Sequence, residues 1–231
     1  MNASKTTTYT HPDVLTVGVR DGWADPVTDP RRIDWPARQA AALIPFTVAA
    51  GRPVNPFAPT GIEHGRNELG HWGEAVAADA LVVTLDPDGC RWIVMVERED
   101  GHGWALPGGM VEPGESPGAA AVRELAEETT LDLSWADWHT TTPRYVPDPR
   151  ASDEAWIVSV LSRCYLGTYH RDDRAELFAV AGADDAARAA WVHADRYDAL
   201  TSYLASVYRG TVFAAHRALL ADVLNTDPSE V

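Results

Sequence analysis

The chain has 231 residues, 45% of them hydrophobic and 23% charged, and 19 Lys+Arg against 34 Asp+Glu give a formal net charge of −15. This balance excludes disordered and collagen-like classes. The acidity argues against nucleic acid or an anionic membrane surface as partner, since both need clustered Lys/Arg, and an anionic small molecule would need a metal ion or a few placed arginines.

Residues 1–78 carry 7 basic and 8 acidic side chains, so the excess acid lies in residues 79–231, with 12 and 26. The first segment is rich in Pro, Gly and Trp. Asp25-Pro26, Asp29-Pro30, Trp35-Pro36, Arg52-Pro53 and Asn55-Pro56 punctuate it as turns, and one short helix is expected around Pro36–Leu43. Such a segment should pack against the C-terminal remainder of the chain.

From Asp79 the texture changes. Ala80–Leu85 reads as a buried strand, Asp86-Pro87-Asp88-Gly89 as a turn, and Trp92–Glu97 as the returning strand of a hairpin. Gly101-His102-Gly103 leads into the short run Trp104–Leu106, and Pro107-Gly108-Gly109 opens a loop. Ser116 is an expected N-cap, with Pro117 at the first helical position and strong helix formers from Ala119 to Thr129. Ala155–Leu161, Cys164–Leu166 and Ala189–Val192 read as strands, and Tyr197–Tyr208 and Thr211–Leu224 as helices. Mixed strands with helices at intervals suggest an α/β or α+β sandwich. Cys90 and Cys164 lack metal-ligand spacing and read as buried free thiols of a reducing compartment. The absence of a secretory h-region and of a long apolar run makes a cytoplasmic protein, without a membrane partner, the expectation.

Glu124, Glu127 and Glu128 stand at i, i+3 and i+4, so their carboxylates share one helix face. No basic residue stands after them at i+4. A solvated acidic stripe at this spacing would cost about 0.2–0.5 kcal/mol per like-charged pair. Convergent carboxylates are what a hard divalent cation such as Mg²⁺ needs, and such a cation would draw in a pyrophosphate. Gly114-Glu115-Ser116-Pro117-Gly118 formally matches the G-x-S-x-G nucleophile elbow. That elbow needs a backbone N–H after Ser, which Pro117 lacks.

Gly109, Glu115, Arg123, Glu124, Leu125, Glu127, Glu128 and Leu131 match the pattern G-x5-E-x7-R-E-U-x-E-E-x-G-U, with U aliphatic. Only Thr130 departs, standing where the pattern has a helix-ending glycine. On these residues the chain resembles the Nudix hydrolases. The resemblance implies an α/β/α sandwich with a mixed β-sheet at 79–231, preceded by an irregular cap region at 1–78 that completes a ligand cleft. It implies hydrolysis of a nucleoside diphosphate linked to another group, with Mg²⁺ or Mn²⁺ held by Glu124, Glu127, Glu128 and the Gly108 carbonyl. Arg123 would tie the helix to its loop through Glu115. The general base stays open between a box glutamate and Asp172, Asp173, Glu176, Asp184 or Asp185.

The flanks are similar to the mitochondrial-type ADP-ribose pyrophosphatases and to a related ADP-ribose-sensing domain of melastatin-type TRP channels. The likeness rests on Trp23–Pro26, Gly51–Pro56, Leu69–Gly73, Trp104–Val111, Asp148-Pro149-Arg150 and Asp184-Asp185. It implies ADP-ribose as substrate, with AMP and ribose 5-phosphate as products. It places Asp148, Arg150, Trp104 and Tyr203 at the substrate, with Tyr208 and His216 as weaker candidates on the C-terminal helices. Other nucleotide substrates and a binding-only sensor remain the alternatives, and either a monomer or a homodimer is compatible.

Overall fold

A computed structural model describes residues 7–225. Its strands are β1 (Thr8–Thr10), β2 (Thr47–Ala49), β3 (Arg52–Val54), β4 (His64–Asn67), β5 (Gly73–Leu85), β6 (Arg91–Arg98), β7 (Trp104–Ala105), β8 (Gly108–Met110), β9 (His139–Thr140), β10 (Arg144–Val146), β11 (Ala155–Thr168) and β12 (Ala186–His193). The α-helices are α1 (Pro12–Leu15), α2 (Val17–Asp21), α3 (Trp35–Ala41), α4 (Pro117–Thr129), α5 (Arg171–Leu177), α6 (Tyr197–Tyr203) and α7 (Arg217–Leu224). No helix among the described residues is long and apolar enough to cross a membrane.

The chain packs into two units. One comprises residues 1–76 with 143–159, the other 77–142 with 160–231. The division near residue 76 falls two residues from the expected boundary. Pro143–Ser159, expected in the second domain, packs with the first unit instead. Sequence texture could not show this, because the segment returns to the N-terminal residues through hydrogen bonds such as Asn67 Nδ2 to the Pro149 and Ala151 carbonyls, both 3.1 Å.

The first unit is held by buried charge as much as by apolar packing. Arg66, fully buried, donates to the carbonyls of Asp25 (2.8 Å) and Gly70 (2.5 Å). Asp25 meets His71 Nδ1 at 3.0 Å, accepts the Trp72 N–H at 3.0 Å and faces Arg38 at 2.7 Å, and His71 first, then Trp72 and Arg38, hold its carboxyl down at about 2 against the cost of burial. Buried Glu154 pairs with Arg52 and accepts the Gly65 N–H. Around this network Trp35, Phe46 and Trp156 meet edge to face, the geometry aromatic rings favour. The segment carries strands β1–β4 that its irregular texture did not predict. β1 pairs in parallel with β4, and β2 and β3 form a hairpin closed by Ala50 and Gly51, both at positive φ.

The second unit is an α/β sandwich. β6 pairs antiparallel with β5 and with β12, and the short β7 and β8 add to β6 and β5. The predicted hairpin is therefore present. The two strands expected at Ala155–Leu161 and Cys164–Leu166 are one strand, β11. Both faces of the sheet are buried. Leu81, Val83, Ile93 and Met95 pack with Leu200, Leu204, Leu219 and Leu220 from the C-terminal helices. Ala80, Val82 and Val94 pack with Ala120, Ala121 and Leu125 of α4. Alternate residues of one strand thus serve opposite layers, which is why Ala80–Leu85 reads as an unbroken apolar run. The predicted C-terminal helix is shorter than its pattern suggests, because 3₁₀ residues Ala214–His216 precede α7.

Candidate active site

The acidic helix forms as its sequence requires. The Ser116 side chain accepts the Ala119 N–H at 3.2 Å, Pro117 occupies the first turn, and the helix ends at Thr130 in left-handed conformation (φ 61°). Ser116 is therefore a cap, not a nucleophile.

Two glycines let β8 approach α4 on one side and β5 on the other. A Cβ on Gly109 would lie 2.3 Å from Glu124 Oε1, so the Glu124 carboxylate rests directly on the bare α-carbon. A Cβ on Gly108 would meet the Ala78 carbonyl at 2.5 Å and the Asp79 Cα at 2.9 Å, both backbone atoms of the paired strand β5. The Gly108 N–H donates to Glu128 Oε2 at 2.9 Å, fixing the third carboxylate at the start of β8.

Arg123 organises the other acids. Its Nε and Nη2 donate to the two Glu115 oxygens at 3.0 Å each, and Nη1 reaches Glu124 Oε1 at 2.9 Å and Glu127 Oε2 at 2.8 Å. Nη2 also donates to the Met110 carbonyl at 3.2 Å. Arg123 thus ties the loop to the helix, as expected. It also stands four residues before Glu127 and pairs with it, so the repulsion that the acidic spacing implies is partly relieved from the N-terminal side. The pairing pushes the Arg123 guanidinium up and Glu115 down.

Glu128 lies outside Arg123's reach, and its environment is severe. It is buried, and burial is the main cause that pushes its carboxyl up to about 9. The Gly108 N–H opposes that shift, while a contact with Asp185 and the charge of Glu124 add to it. Glu124 is also raised, by burial first, against the pull of Arg123. Burial and the neighbouring acids thus disfavour the charged forms of Glu124 and Glu128, which a bound cation would favour. The residues therefore fit a hard divalent ion bound through oxygen, the chemistry of Mg²⁺.

Asp185 is brought in by backbone pairing. The Ala183 N–H donates to the Glu128 carbonyl at 3.0 Å and the Ala181 N–H to the Thr129 carbonyl at 2.9 Å, which docks this loop on the end of α4. Among the five candidate acids outside the box, Asp172, Asp173 and Glu176 are exposed on α5. No local pattern marks Asp185, because its proximity to Glu128 is made by the loop before β12.

Trp104 requires correction. It is expected at the substrate, but its side chain is fully buried in the core, tilted against Tyr208 with ring centroids 4.6 Å apart and closed over by Gly210. An indole with no exposed face packs and does not stack on a ligand. Tyr203 is half-buried, with its ring edge on Trp92 at 5.6 Å. His216, buried, accepts the Leu106 N–H on Nδ1 at 3.1 Å and turns Nε2 to Asp79 at 3.3 Å, so it braces β7. In the first unit Asp148 is buried and takes Arg150 in a bidentate pair, with the Arg150 backbone N–H, Nε and Nη2 donating at 2.7–3.0 Å.

Residues 75–209, more than half of the chain, match the NUDIX domain family. The chain belongs to the NUDIX family. It is 35% identical over 156 residues to a nudix hydrolase of Caenorhabditis elegans, covering 60% of each protein. It is 32% identical over 177 residues to the mitochondrial ADP-ribose pyrophosphatase of Rattus norvegicus, covering 64% of this chain and 49% of that protein. A TRP cation channel of subfamily M from Nematostella vectensis is 30% identical over 182 residues, 63% of this chain and 11% of the channel. The chain therefore spans less than two thirds of the length of each of these relatives. Among solved structures, a MutT/nudix protein from Enterococcus faecalis superposes with a TM-score of 0.49 at 20% identity, covering 67% of this chain and 62% of that one. As a NUDIX protein the chain is a member of a hydrolase family, and its α/β sandwich is the fold expected of it.

Proposed function

We propose that the protein hydrolyses the pyrophosphate of ADP-ribose to AMP and ribose 5-phosphate with Mg²⁺, or Mn²⁺ in its place. The observation that carries this reading is the convergence of Glu124 and Glu128 on Gly108-Gly109 of β8, with Asp185 against Glu128. It stands in a chain whose likeness to an ADP-ribose pyrophosphatase extends over 177 residues, well beyond the box. Glu124, Glu127, Glu128 and the Gly108 carbonyl would hold the metal. When bound, the ion neutralises pyrophosphate charge and lowers the pKa of a water.

The protein groups divide the remaining work. Arg123 positions Glu124 and Glu127 and anchors the helix to Glu115. Asp185, exposed beside Glu128, is placed to accept a proton from an attacking water, so it is our choice of general base. Arg150, held by Asp148 through Nε and Nη2, would contact a phosphate or the distal ribose, as the likeness to the ADP-ribose pyrophosphatases implies. The intact Arg123-Glu124-Leu125 favours turnover over sensing.

The test is incubation with ADP-ribose and Mg²⁺, with AMP resolved by chromatography. AMP should form, Glu127→Gln should lose most of the rate, and chelator should abolish it. ADP-ribose binding without AMP would convert the reading to a sensor. Faster turnover of NADH, a nucleotide sugar or a dinucleoside polyphosphate would redirect the substrate.

A further inference from the structure

A second group of metal-ligating side chains stands apart from the box. Cys90 Sγ, a His193 ring nitrogen and an Asp195 carboxylate oxygen lie within 4.8 Å of one another. In the sequence these residues have no metal-ligand spacing. Strand pairing assembles them: Cys90 precedes β6, His193 closes β12 opposite Trp92, and the Ala194 N–H continues the ladder by donating to the Arg91 carbonyl at 2.8 Å. Cys90 is half-buried rather than buried as the sequence suggests, and the Asp195 side chain keeps 41% of its surface exposed, so the group is partly open to solvent.

The donors are held in place by backbone bonds. Asp195 Oδ1 accepts the Arg91 N–H at 2.5 Å, which leaves Oδ2 facing His193 Nε2 at 2.9 Å. Asp86 Oδ1 accepts the Cys90 and Asp88 N–H groups at 2.9 and 3.1 Å, fixing the turn that carries the thiol. Trp92 lies against His193 with ring centroids 5.5 Å apart and limits the imidazole's movement.

We propose that Cys90, His193 and Asp195 form a second cation site, one that takes a borderline-soft transition metal, Zn²⁺ above all. Bond lengths of about 2.0–2.3 Å in a tetrahedral site put ligand atoms roughly 3.3–3.6 Å apart. The three atoms lie within 4.8 Å of one another, with His193 and Asp195 already 2.9 Å apart, so an ion would draw them to that spacing. A thiolate, an imidazole and one carboxylate select Zn²⁺ over Mg²⁺, whose ligands are all oxygen. One thiolate and one carboxylate balance the ion's charge, and Asp86 adds negative potential nearby. Three protein ligands leave a fourth position for water. This seat and the box lie at opposite ends of β12, since Asp185 stands just before that strand and His193 closes it. Seven strand steps of ~3.3 Å separate the ends by about 23 Å, so each ion can be read independently.

The test uses the chelator-stripped 231-residue protein titrated with Co²⁺ in excess Mg²⁺, which keeps the all-oxygen site occupied. One equivalent of Co²⁺ should produce a near-ultraviolet thiolate-to-metal charge-transfer band and visible bands of four-coordinate Co²⁺, and added Zn²⁺ should abolish both. Cys90→Ser and His193→Ala should lose the bands, while Glu127→Gln should keep them. In the wild type, Zn²⁺ should slow alkylation of Cys90, read by peptide mass, independently of any variant's folding. No charge-transfer band in the wild type, a band that persists in Cys90→Ser, or unprotected Cys90 under saturating Zn²⁺ overturns the site.

Discussion

Adding one methyl group at Gly109 should damage chemistry while sparing the fold. In Gly109→Ala the new Cβ would sit 2.3 Å from Glu124 Oε1. Ordinary contact begins near 3.4 Å, so the carboxylate must retreat by 3.4 − 2.3 = 1.1 Å. The displaced atom is the far end of a flexible side chain, and Gly109 does not need positive φ. The loss to stability is then little more than the partly exposed Arg123–Glu124 bond, about 1 kcal/mol or less. Catalysis is less tolerant, because a misplacement of about 1 Å costs roughly 10²-fold, or ~2.7 kcal/mol of barrier. Gly108→Ala provides the contrast. Its Cβ meets backbone atoms of β5, which cannot retreat alone, so ~1–3 kcal/mol of overpacking is expected, or roughly 2–12 °C in Tm at this size. The assay is paired: AMP formation from ADP-ribose for kcat, and thermal denaturation for Tm. A Gly109→Ala enzyme with wild-type kcat, or one as destabilised as Gly108→Ala, refutes the placement of Glu124 on the bare α-carbon.

The remaining predictions rest on single contacts. Glu128 is an acid whose folded-state pKa is raised, so the fold prefers its protonated form; metal-free stability should be greatest below the ordinary 4.5 and fall as pH rises towards about 9. The loss is on the order of 3 kcal/mol by pH 7, so Glu128→Gln should raise Tm in chelator at pH 7, and no gain would contradict a charged-state penalty there. Thr130→Gly relieves a non-glycine residue at φ 61° and, after the added freedom of glycine in the unfolded chain, should stabilise by about 0.5–1 kcal/mol, seen as a higher denaturation midpoint at unchanged kcat. Trp104→Ala removes a fully buried indole and should cost ~3–5 kcal/mol; weaker ADP-ribose binding at wild-type Tm would restore the residue to the substrate site. Arg123→Ala should lower kcat by tenfold or more, as Glu115, Glu124 and Glu127 lose their shared donor, while a wild-type rate would deny Arg123 its positioning role.

The sequence by itself determined the features written in local spacing. Three carboxylates at i, i+3 and i+4 share a helix face because of the helical period, and Ser116-Pro117 fixes where that helix starts. The hairpin from β5 to β6 is set by two apolar runs about a turn. Thr130 stands where a helix-ending glycine is the rule, and the backbone is left-handed there.

Tertiary structure alone decided the rest, since each remaining feature joins residues far apart in the chain. The pairing of Gly108 with β5 and the docking of residues 181–183 on α4 bring Asp185 to Glu128 and contribute to the raised Glu128. Burial removed Trp104 from the substrate and gave His216 a bracing role. Strands β6 and β12 bring Cys90 to His193 across about a hundred residues, a ligand set no linear motif encodes. The net charge of −15 argues against anionic partners when read as composition alone. The fold gathers part of that acid beside the glycines of β8, where burial disfavours the charged carboxylates and a cation would favour them.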